Sequence, residues 1–341
     1  MRGKKVFVGE TFSRLGLSSL CARMGIGARS ELRILAYHRV LDLHDEASFG
    51  ADPELVSATV ADFDLQMRFV RRHFHPLRFA DVLDALEHNR KPPPRSVVIT
   101  FDDGHIDNYT NAFPVLRRLG MPATIFLSTE YIGSDRMFWF DRVACLLYFA
   151  PSGELRLLST TFSCMLADVA SRRAAAGSLL QLLKQVPDEQ RRACVNELEQ
   201  RLADAVPSAA NPGRHCMSWD EVRTMVKGGI EFASHTVSHP ILSRLADAAL
   251  LHELSESRAA ILRETGCDIP VIAYPVGKRG AYDARVLRAT EQCGYRLGIS
   301  YETGTNPAIG FDRFELRRIA VERYTSQAMF QASLTLPRIF A

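Results

Sequence analysis

Residues 97–104 read VVITFDDG, an apolar run that stops abruptly at two adjacent aspartates and a glycine. The run is typical of a buried strand, and the glycine is typical of a tight turn. Asp102 and Asp103 repel each other, and a metal cation is the usual way to hold such a pair at the carboxyl end of a parallel strand. One carboxylate would bind the cation while the other moves a proton. A solvated Asp-Asp-Gly turn is the alternative that the tripeptide alone leaves open.

A second apolar run, IEFAS at 230–234, is followed by HTVSHP at 235–240. His235 and His239 are four residues apart, so a helical turn after the strand would bring both imidazoles to one face. Two histidines and one aspartate leave positions open for water and substrate, and this set suits zinc or another borderline divalent metal. Two unrelated surface histidines are the alternative interpretation of the pair.

A third run, ILAYH at 34–38, also ends in a histidine. If its strand belongs to the same sheet, His38 lies at the same face as the aspartates and is a candidate general acid, because the pKa of an imidazole can lie near the working pH. A lone histidine is more often a hydrogen-bonded core or loop residue, so this assignment depends on the other two segments.

Short apolar runs alternate with helical stretches along most of the chain, which is the pattern of a parallel sheet built from strand and helix units. Seven such runs predict an α/β fold, a (β/α)7 barrel. The predicted strands are 33–38, 97–101, 123–128, 230–234, 271–274, 296–300 and 316–321, and the predicted helices are 56–74, 108–119, 219–227, 247–265 and 283–293. Ser218 and Glu221 have the spacing of a capping box for the third helix.

The alternation lapses between residues 134 and 217, where Ala-, Leu- and Arg-rich sequence predicts a helical insertion. We therefore expect a basic helical segment at 1–30 and one barrel domain at 31–341, interrupted by the insertion at 134–217. The insertion opens with MFWFDR at 137–142. The aromatic rings of this cluster, Trp139 among them, would either roof a sugar site or pack the insertion onto the barrel.

Charge, cysteine content and hydropathy exclude several classes of protein. The 42 lysines and arginines exceed the 39 acidic residues by only 3, too weak a balance for a nucleic-acid-binding protein. The 7 cysteines form no Cys-x-x-Cys pair, which favours buried thiols in a reducing compartment over a disulfide scaffold or a cysteine zinc site. No run approaches the roughly 20 apolar residues of a membrane span and no export signal is evident, so we expect a cytoplasmic protein. A basic apolar stripe within 1–30 would allow peripheral contact with the inner membrane surface, although a helix packed on the domain is the commoner reason for such a stripe.

Together the three segments resemble the polysaccharide deacetylase superfamily, the NodB-like carbohydrate esterase family 4, and in particular its rearranged branch that includes the poly-N-acetylglucosamine deacetylases. The resemblance runs from about residue 33 to residue 321 and rests on TFDDG at 100–104 and SHTVSHP at 234–240. It implies a distorted NodB-like barrel, with Asp102 as general base and with Asp103, His235 and His239 as metal ligands.

The resemblance also implies a role for residues outside those two motifs. In the rearranged branch a Tyr-His segment supplies the general acid, which assigns that role to His38; the last histidine of the chain, His252, comes too early for the usual C-terminal acid motif. The family's third motif stands here as AYPVG at 273–277, without its arginine. By resemblance, the amide of Val276 helps to hold the oxyanion. The other candidates for substrate contact are Tyr274, Trp139 and Arg142.

Two side chains near these motifs have no settled role. Because the third motif lacks its arginine, Arg142, Arg317 or Arg318 would have to orient Asp102, and the sequence does not choose among them. His105 follows the glycine of the first motif, where it would either touch substrate or point outward, and we expect it to point outward.

The resemblance implies a metal-dependent hydrolase that removes an N-acetyl group from an amino sugar in a glycan, a glycolipid or an activated precursor. One divalent ion would serve it, zinc first, with cobalt, nickel or manganese as alternatives. A cytoplasmic location would favour lipid-linked or nucleotide-linked sugars over mature wall polymer. Two other readings stay open: hydrolysis of a linear amide that is not a sugar, and a non-catalytic carbohydrate-binding relative.

Overall fold

Strands and helices alternate along the chain in the computed structural model, which describes residues 31–43, 46, 49–210 and 213–340. The basic segment expected at 1–30 lies outside the described residues. In chain order the strands are β1 (Glu31–Tyr37), β2 (Arg39–Val40), β3 (Val56–Ala58), β4 (His75–Leu77), β5 (Ser96–Phe101), β6 (Thr124–Leu127), β7 (Gly153–Arg156), β8 (Ser163–Leu166), β9 (Glu231–Ser234), β10 (Val271–Ala273), β11 (Leu297–Thr303), β12 (Asn306–Pro307) and β13 (Leu316–Ala320). The α-helices are α1 (Val60–His73), α2 (Phe79–Glu87), α3 (Phe113–Leu119), α4 (Trp139–Tyr148), α5 (Val169–Leu183), α6 (Asp188–Leu202), α7 (Trp219–Lys227), α8 (Asp247–Thr265), α9 (Ala284–Gln292), α10 (Gln327–Thr335) and α11 (Pro337–Phe340).

Seven of the strands close into a parallel barrel in the order β1, β13, β11, β10, β9, β6, β5 and back to β1. The closure depends on β1, whose Leu35 pairs with Ile319 of β13 on one side and with Ile99 of β5 on the other. The strand β4 extends the sheet beside β5, and β12 lies antiparallel to β1. The predicted (β/α)7 barrel is confirmed.

Side chains alternate across the wall of the barrel, as the pleat of a strand requires. On β1, Leu32 and Ile34 belong to a buried cluster with Val98, whereas Leu35 and Tyr37 belong to the larger cluster on which the surrounding helices pack. Both faces of the strands are therefore apolar, which explains why they read as continuous apolar runs. The acidic and histidine side chains of the sequence motifs stand where the parallel strands end, at one end of the barrel.

Two predicted helices begin differently in the structure. The helix expected at 56–74 starts only at Val60, because residues 56–58 pair as β3 with β2 and the side chain of Thr59 caps the helix by accepting the N–H of Asp62. The helix expected at 108–119 opens with a turn of π-helix at Asn108–Ala112 before α3. Pro114 has no N–H to donate, so the regular α-helical ladder cannot run through this junction.

The insertion was expected to be helical, and α4, α5 and α6 lie within it. It also contains the antiparallel hairpin of β7 and β8, with Gly153 opposite Leu166, which the sequence did not predict. The buried Leu155 and Leu166, one on each strand, hold the hairpin against the helices. The capping box of Ser218 and Glu221 at the start of α7 is confirmed.

The six described cysteines are all free thiols. Cys267 is exposed and Cys164 and Cys293 are half-buried, which corrects the expectation that the thiols are buried. Within the described ranges, no helix combines the length and the apolar character that crossing a membrane requires.

Candidate functional site

Three predicted ligands meet at the carboxyl end of the barrel. One atom each from Asp103, His235 and His239 lies within 4.8 Å of the others, and all three residues are buried. Oδ1 of Asp103 is 3.5 Å from Nε2 of His235 and 3.4 Å from Nε2 of His239. This spacing places the three potential donor atoms around one point, as a shared cation requires.

The backbone is strained where these ligands stand. Asp103, Thr236, His239 and Val276 all have positive φ, at 77°, 71°, 54° and 62°. Gly104 follows with φ 85°, and a Cβ on it would lie 2.7 Å from the side chain of Leu127, so only glycine fits there. Non-glycine residues in this region cost free energy and cluster at functional sites. The strain turns the chain sharply at the ends of β5, β9 and β10.

The two histidines come together by a different route from the one expected. Residues 235–239 form no helical turn; the positive φ of Thr236 and His239 folds the loop instead. The N–H of His239 donates to Oγ1 of Thr236 at 3.1 Å. Nδ1 of His235 donates to the carbonyl of Ala273 at 2.7 Å, which leaves Nε2 for the site. Such a hydrogen bond fixes the tautomer of a metal-binding histidine.

Helix α4 of the insertion supports His239 from behind. Trp139 donates its Nε1 hydrogen to the carbonyl of His239 at 3.0 Å, and the ring of Phe140 lies edge-on to the imidazole with centroids 5.0 Å apart. Both aromatic side chains are buried and both line the site's cavity, so packing of the insertion onto the barrel accounts for the cluster. Trp139 therefore supports the candidate ligand His239 through a hydrogen bond to the backbone carbonyl of that histidine.

Burial and charge leave Asp103 and His239 in the forms that bind metal. Burial lowers the pKa of His239 to about 3, so the imidazole is neutral at physiological pH. Burial alone would raise the pKa of Asp103, but contacts with His105 and His239 bring it well below its usual value. Neither carboxylate oxygen of Asp103 has a hydrogen-bond partner among the described residues. A bound divalent cation would satisfy these orphaned oxygens, so the residues present fit such an ion.

His105 does not point outward, contrary to expectation. It is fully buried, with Nε2 at 3.3 Å from Oδ2 of Asp103. Its backbone forms an isolated antiparallel bridge with Cys216, and its ring packs edge-on to Phe138. The chain leading out of the insertion therefore holds His105 inside, on the side of Asp103 away from the other two histidines.

Asp102 is held by an arginine from the far end of the chain. Nη1 of Arg318 donates to Oδ1 of Asp102 at 2.7 Å, and Nε of Arg318 donates to the carbonyl of Ser300 at 2.9 Å. Both side chains are almost fully buried. Burial alone would raise the pKa of Asp102, but Arg318, with His235 and His38, brings it below its usual value. Among the three arginines that the sequence left open, the structure brings Arg318 to Asp102.

His38 stands on the other side of Asp102, with Nε2 at 3.9 Å from Oδ2 of that carboxylate. The N–H of His38 donates to Oγ of Ser57, and its carbonyl accepts a hydrogen bond from Asn108. The side chain is 17% exposed, more open than the other site histidines. Burial lowers the pKa of His38, although Asp102 and Asp103 oppose that shift.

A cavity of about 590 Å³ opens above these residues. His38, Asp102, Val276 and Tyr301 line it beside the candidate metal ligands. Residues of α5 and the turn after it, including Lys184, line it from the insertion side. The barrel thus forms the floor of the cavity, and the insertion forms part of its wall.

Three predicted residues lie elsewhere. The ring of Tyr274 stacks on Tyr282 in a separate apolar cluster, because the side chain alternates away from the barrel interior. Arg142 is committed to an ion pair with Glu199 of α6, at 2.6 Å. Arg317 neighbours Arg318 on β13 and so takes the opposite face of the strand. Expectations of substrate contact for Tyr274 and Arg142 are therefore corrected.

One supporting residue was missed from the sequence. The carboxylate of Glu253 on α8 accepts the N–H groups of Val237 and Ser238 at 2.8 and 2.9 Å, and the hydroxyl of Ser238 at 2.6 Å. It is buried although charged. Its position between Leu250 and Leu254 on the apolar face of the helix was the available signal. Glu253 fixes the loop that joins His235 to His239.

Residues 89–298, more than half of the chain, match the family described as polysaccharide deacetylase. This chain belongs to the polysaccharide deacetylase family. A Bacillus subtilis protein named "Putative polysaccharide deacetylase YxkH" is 24% identical over 249 residues, which cover 72% of this chain and 59% of that protein. The poly-beta-1,6-N-acetyl-D-glucosamine N-deacetylase of Staphylococcus epidermidis is 36% identical over 106 residues, 29% of this chain and 37% of that one. The family member described here thus spans less than two thirds of the length of these relatives.

Solved structures share the fold of this polysaccharide deacetylase family member. The Streptococcus pyogenes deacetylase PplD, solved in complex with acetate, matches with a TM-score of 0.57 and 20% identity, covering 91% of this chain and 98% of that one. IcaB from Ammonifex degensii matches with a TM-score of 0.54 and 16% identity, covering 89% and 97%. At these identities the likeness concerns the fold, and it agrees with the NodB-like barrel implied by the sequence motifs.

Proposed function

We propose that this protein is a metal-dependent hydrolase that removes an N-acetyl group from an amino sugar. The observation that carries the proposal is the buried cluster of Asp103, His235 and His239, which opens into a cavity beside the Asp102–Arg318 pair. The substrate bond is the amide, so the products are acetate and a free amine.

The donor set supports a catalytic site more than a structural one. One carboxylate and two imidazoles leave coordination positions open, as in catalytic zinc sites, and zinc is the metal we propose. When bound, such an ion acidifies water and polarises the acyl carbonyl. Ala273 holds His235 and Trp139 holds the backbone of His239, so the chain prepares the ligands before any ion arrives.

Asp102 is the proposed general base. Its lowered pKa keeps the carboxylate deprotonated at neutral pH, and Arg318 occupies only Oδ1. The other oxygen, Oδ2, is the one nearer to His38 and is available to accept a proton from the attacking water. Arg318 orients the carboxylate and balances its charge, which is the part that the missing arginine of the third motif would otherwise play.

His38 is the proposed general acid. It lies across the cavity floor from the metal ligands, on the far side of Asp102. A protonated imidazole there would deliver its proton to the leaving nitrogen as the C–N bond breaks, because an amide anion is a poor leaving group. Val276, with its strained backbone at the edge of the cavity, is the proposed source of an N–H for the oxyanion.

Acetate release from a panel of N-acetylated sugars, measured with metal-reconstituted protein, tests the proposal. Asp102→Asn is expected to keep its metal and lose at least about 10²-fold in rate, whereas Asp103→Ala should lose both metal and activity. Asp204→Asn, at an exposed position outside the cavity, is the control and should behave as wild type.

Other outcomes of the same assay point elsewhere. Acetate or another acid released only from amides that are not sugars would replace the sugar substrate with a linear amide. Metal binding without turnover of any amide would indicate a carbohydrate-binding relative. Full activity of Asp102→Asn would contradict the assignment of the base.

A further inference from the structure

Charged side chains at the mouth of the cavity separate by sign. Lys184, Arg244 and Lys278 line it from the insertion and from the loops after β9 and β10. Asp52, Glu54 and Glu322 line it from the loops after β2 and β13. In the barrel, β13 is the neighbour of β1, whereas β9 and β10 lie across from that pair. Cations therefore predominate on one side of the cavity, the basic side, and carboxylates on the other, the acidic side, with Asp52 close enough to Lys184 to interact with it.

The three cations of the basic side form no ion pair in the described part of the chain. Among the described residues, no carboxylate lies within 4 Å of the charged groups of Lys184, Arg244 or Lys278, whereas Arg285 close by pairs with Asp247 at 2.7 Å. Lys184 is half-buried, and burial lowers its pKa; Asp52 opposes that shift and Lys278 adds to it. Asp52 thus attracts the half-buried Lys184, and the exposed Lys278 repels it more weakly. Unpaired like charges that converge on a cavity favour an anion there.

We propose that the amino-sugar substrate carries a phosphoryl group, which Lys184, Arg244 and Lys278 bind while the acetamide lies at the candidate metal ligands. The inference deepens the proposed function and rests on it. A phosphoryl group carries up to two negative charges and three acceptor oxygens, which suits three cations better than a single carboxylate does. Lysine serves as a point charge toward phosphate, and arginine adds directed N–H donors.

The acidic side fits the product of the same reaction. His38 follows β1 and therefore lies toward the side of Asp52, Glu54 and Glu322. Cleavage of the amide turns a neutral nitrogen into an ammonium group near His38. Carboxylates on that side stabilise the new cation, while cations on the other side hold the phosphoryl group. The phosphoryl group and the new ammonium group would each meet charges of opposite sign in the cavity.

Binding to metal-free protein tests the anion site without any turnover. By calorimetry at low salt, N-acetylglucosamine 1-phosphate is expected to bind at least about tenfold more tightly than methyl N-acetylglucosaminide, and added salt should shrink the difference. Lys184→Gln and Lys278→Gln should each weaken phosphate-sugar binding several-fold and leave binding of the neutral sugar unchanged. Lys278→Arg should restore it, and the exposed Lys227→Gln outside the cavity is the control. Equal affinity for the two sugars, or no effect of either glutamine variant, would overturn the inference.

Turnover of carrier-linked substrates separates the two sources of such a phosphate. Acetate release is compared for N-acetylglucosamine linked to uridine diphosphate, to a lipid diphosphate, and to a neutral oligosaccharide. Faster turnover of either diphosphate, with KM raised and kcat kept in Lys278→Gln, supports the inference and identifies the carrier. Equal or faster turnover of the neutral oligosaccharide overturns it and leaves the deacetylase intact. Tight phosphate-sugar binding without acetate from any substrate keeps the anion site and contradicts the proposed reaction instead.

Discussion

The barrel and the insertion contribute different kinds of side chain to the cavity. The barrel supplies Asp102, Asp103 and Arg318, which are buried and held by one another or by the backbone. The insertion contributes Lys184, which is half-buried and forms no ion pair among the described residues, and its Arg142 pairs with Glu199 away from the cavity. This difference indicates that the barrel determines the reaction, while the insertion shapes what reaches it. Matched substitutions in the barrel and in the insertion test that distinction.

The largest effect is expected from Arg318→Met. Removing the cation leaves Asp102 buried without its partner, which costs about 3–5 kcal/mol of stability when a buried pair is broken. Loss of orientation should also lower kcat by roughly 10²-fold, a typical contribution of acid–base catalysis. Thermal unfolding and acetate release measure the two effects, and metal content should stay unchanged. A stable, fully active variant would show that Arg318 is not the arginine that serves Asp102.

His38→Gln should lower kcat by about 10²-fold with little change in stability, because the side chain is partly open to the cavity. As the proposed acid, His38 must carry its proton, so kcat of the wild type falls as pH rises through its pKa. The variant should lose that falling limb while keeping metal. An unchanged pH profile in His38→Gln would assign the acid to another group.

Asp141 at the start of α4 offers a test on the insertion itself. Burial raises the pKa of this carboxyl to about 6, above its value near 4 in an unfolded chain. The folded protein therefore holds the proton more tightly, and this contribution to stability is lost as pH rises from about 4 to 6. Asp141→Asn keeps an acceptor for the N–H of Asp52 and has no such loss.

The variant should therefore gain roughly 1–3 kcal/mol over wild type between pH 4 and pH 7. Urea unfolding at several pH values measures the difference in the free energy of unfolding. A difference that does not change with pH would mean that Asp141 is not held in its protonated form by burial.

Glu253→Gln tests the loop that carries both histidines. The amide keeps one acceptor oxygen but loses the charge that draws in two N–H groups and a hydroxyl. Metal affinity is expected to fall by roughly tenfold, at the low end of the effect of residues behind metal ligands. Glu256→Gln, one turn away on α8 and more exposed, is the matched control. Equal metal affinity of the two variants would remove Glu253 from the site.

The smallest effect is expected from Arg142→Met, the counterpart of Arg318→Met in the insertion. Arg142 is half-buried and its partner Glu199 is exposed, and ion pairs that reach solvent in this way contribute about 1 kcal/mol or less. Activity and metal content should match those of wild type. A large loss of kcat would mean that the insertion takes part in the chemistry, and the distinction between the two regions would fail.

Two of the candidate metal ligands, Asp103 and His235, were predictable because each stands just after an apolar run, and parallel strands bring such positions to one end of a barrel. Asp103 and His235 could be paired on that rule alone. The partner of Asp102 could not, because it depends on β1 closing the barrel between β13 and β5. The hydrogen bond between Arg318 and Asp102 joins residues 216 positions apart. No local pattern distinguishes Arg318 from Arg317 until it is known which side chains of β13 point into the barrel.

The errors have local causes. His105 was expected outside because a residue after a glycine turn is usually solvated, yet the chain leaving the insertion covers it. The hairpin of β7 and β8 was hidden because its strands are four residues long and lie among helix-forming sequence. Thr236 and His239 reach the site through positive φ rather than a helical turn, a choice made by the surrounding contacts and not by residue type.

Metal stoichiometry tests the central claim most directly. Elemental analysis of purified, metal-replete protein should give about one divalent ion per chain, and His235→Ala should give none while remaining folded by circular dichroism. That result would place the ion at Asp103, His235 and His239, where the deacetylase proposal needs it. Protein that takes up no metal, or a His235→Ala variant that keeps the full complement, would contradict the account.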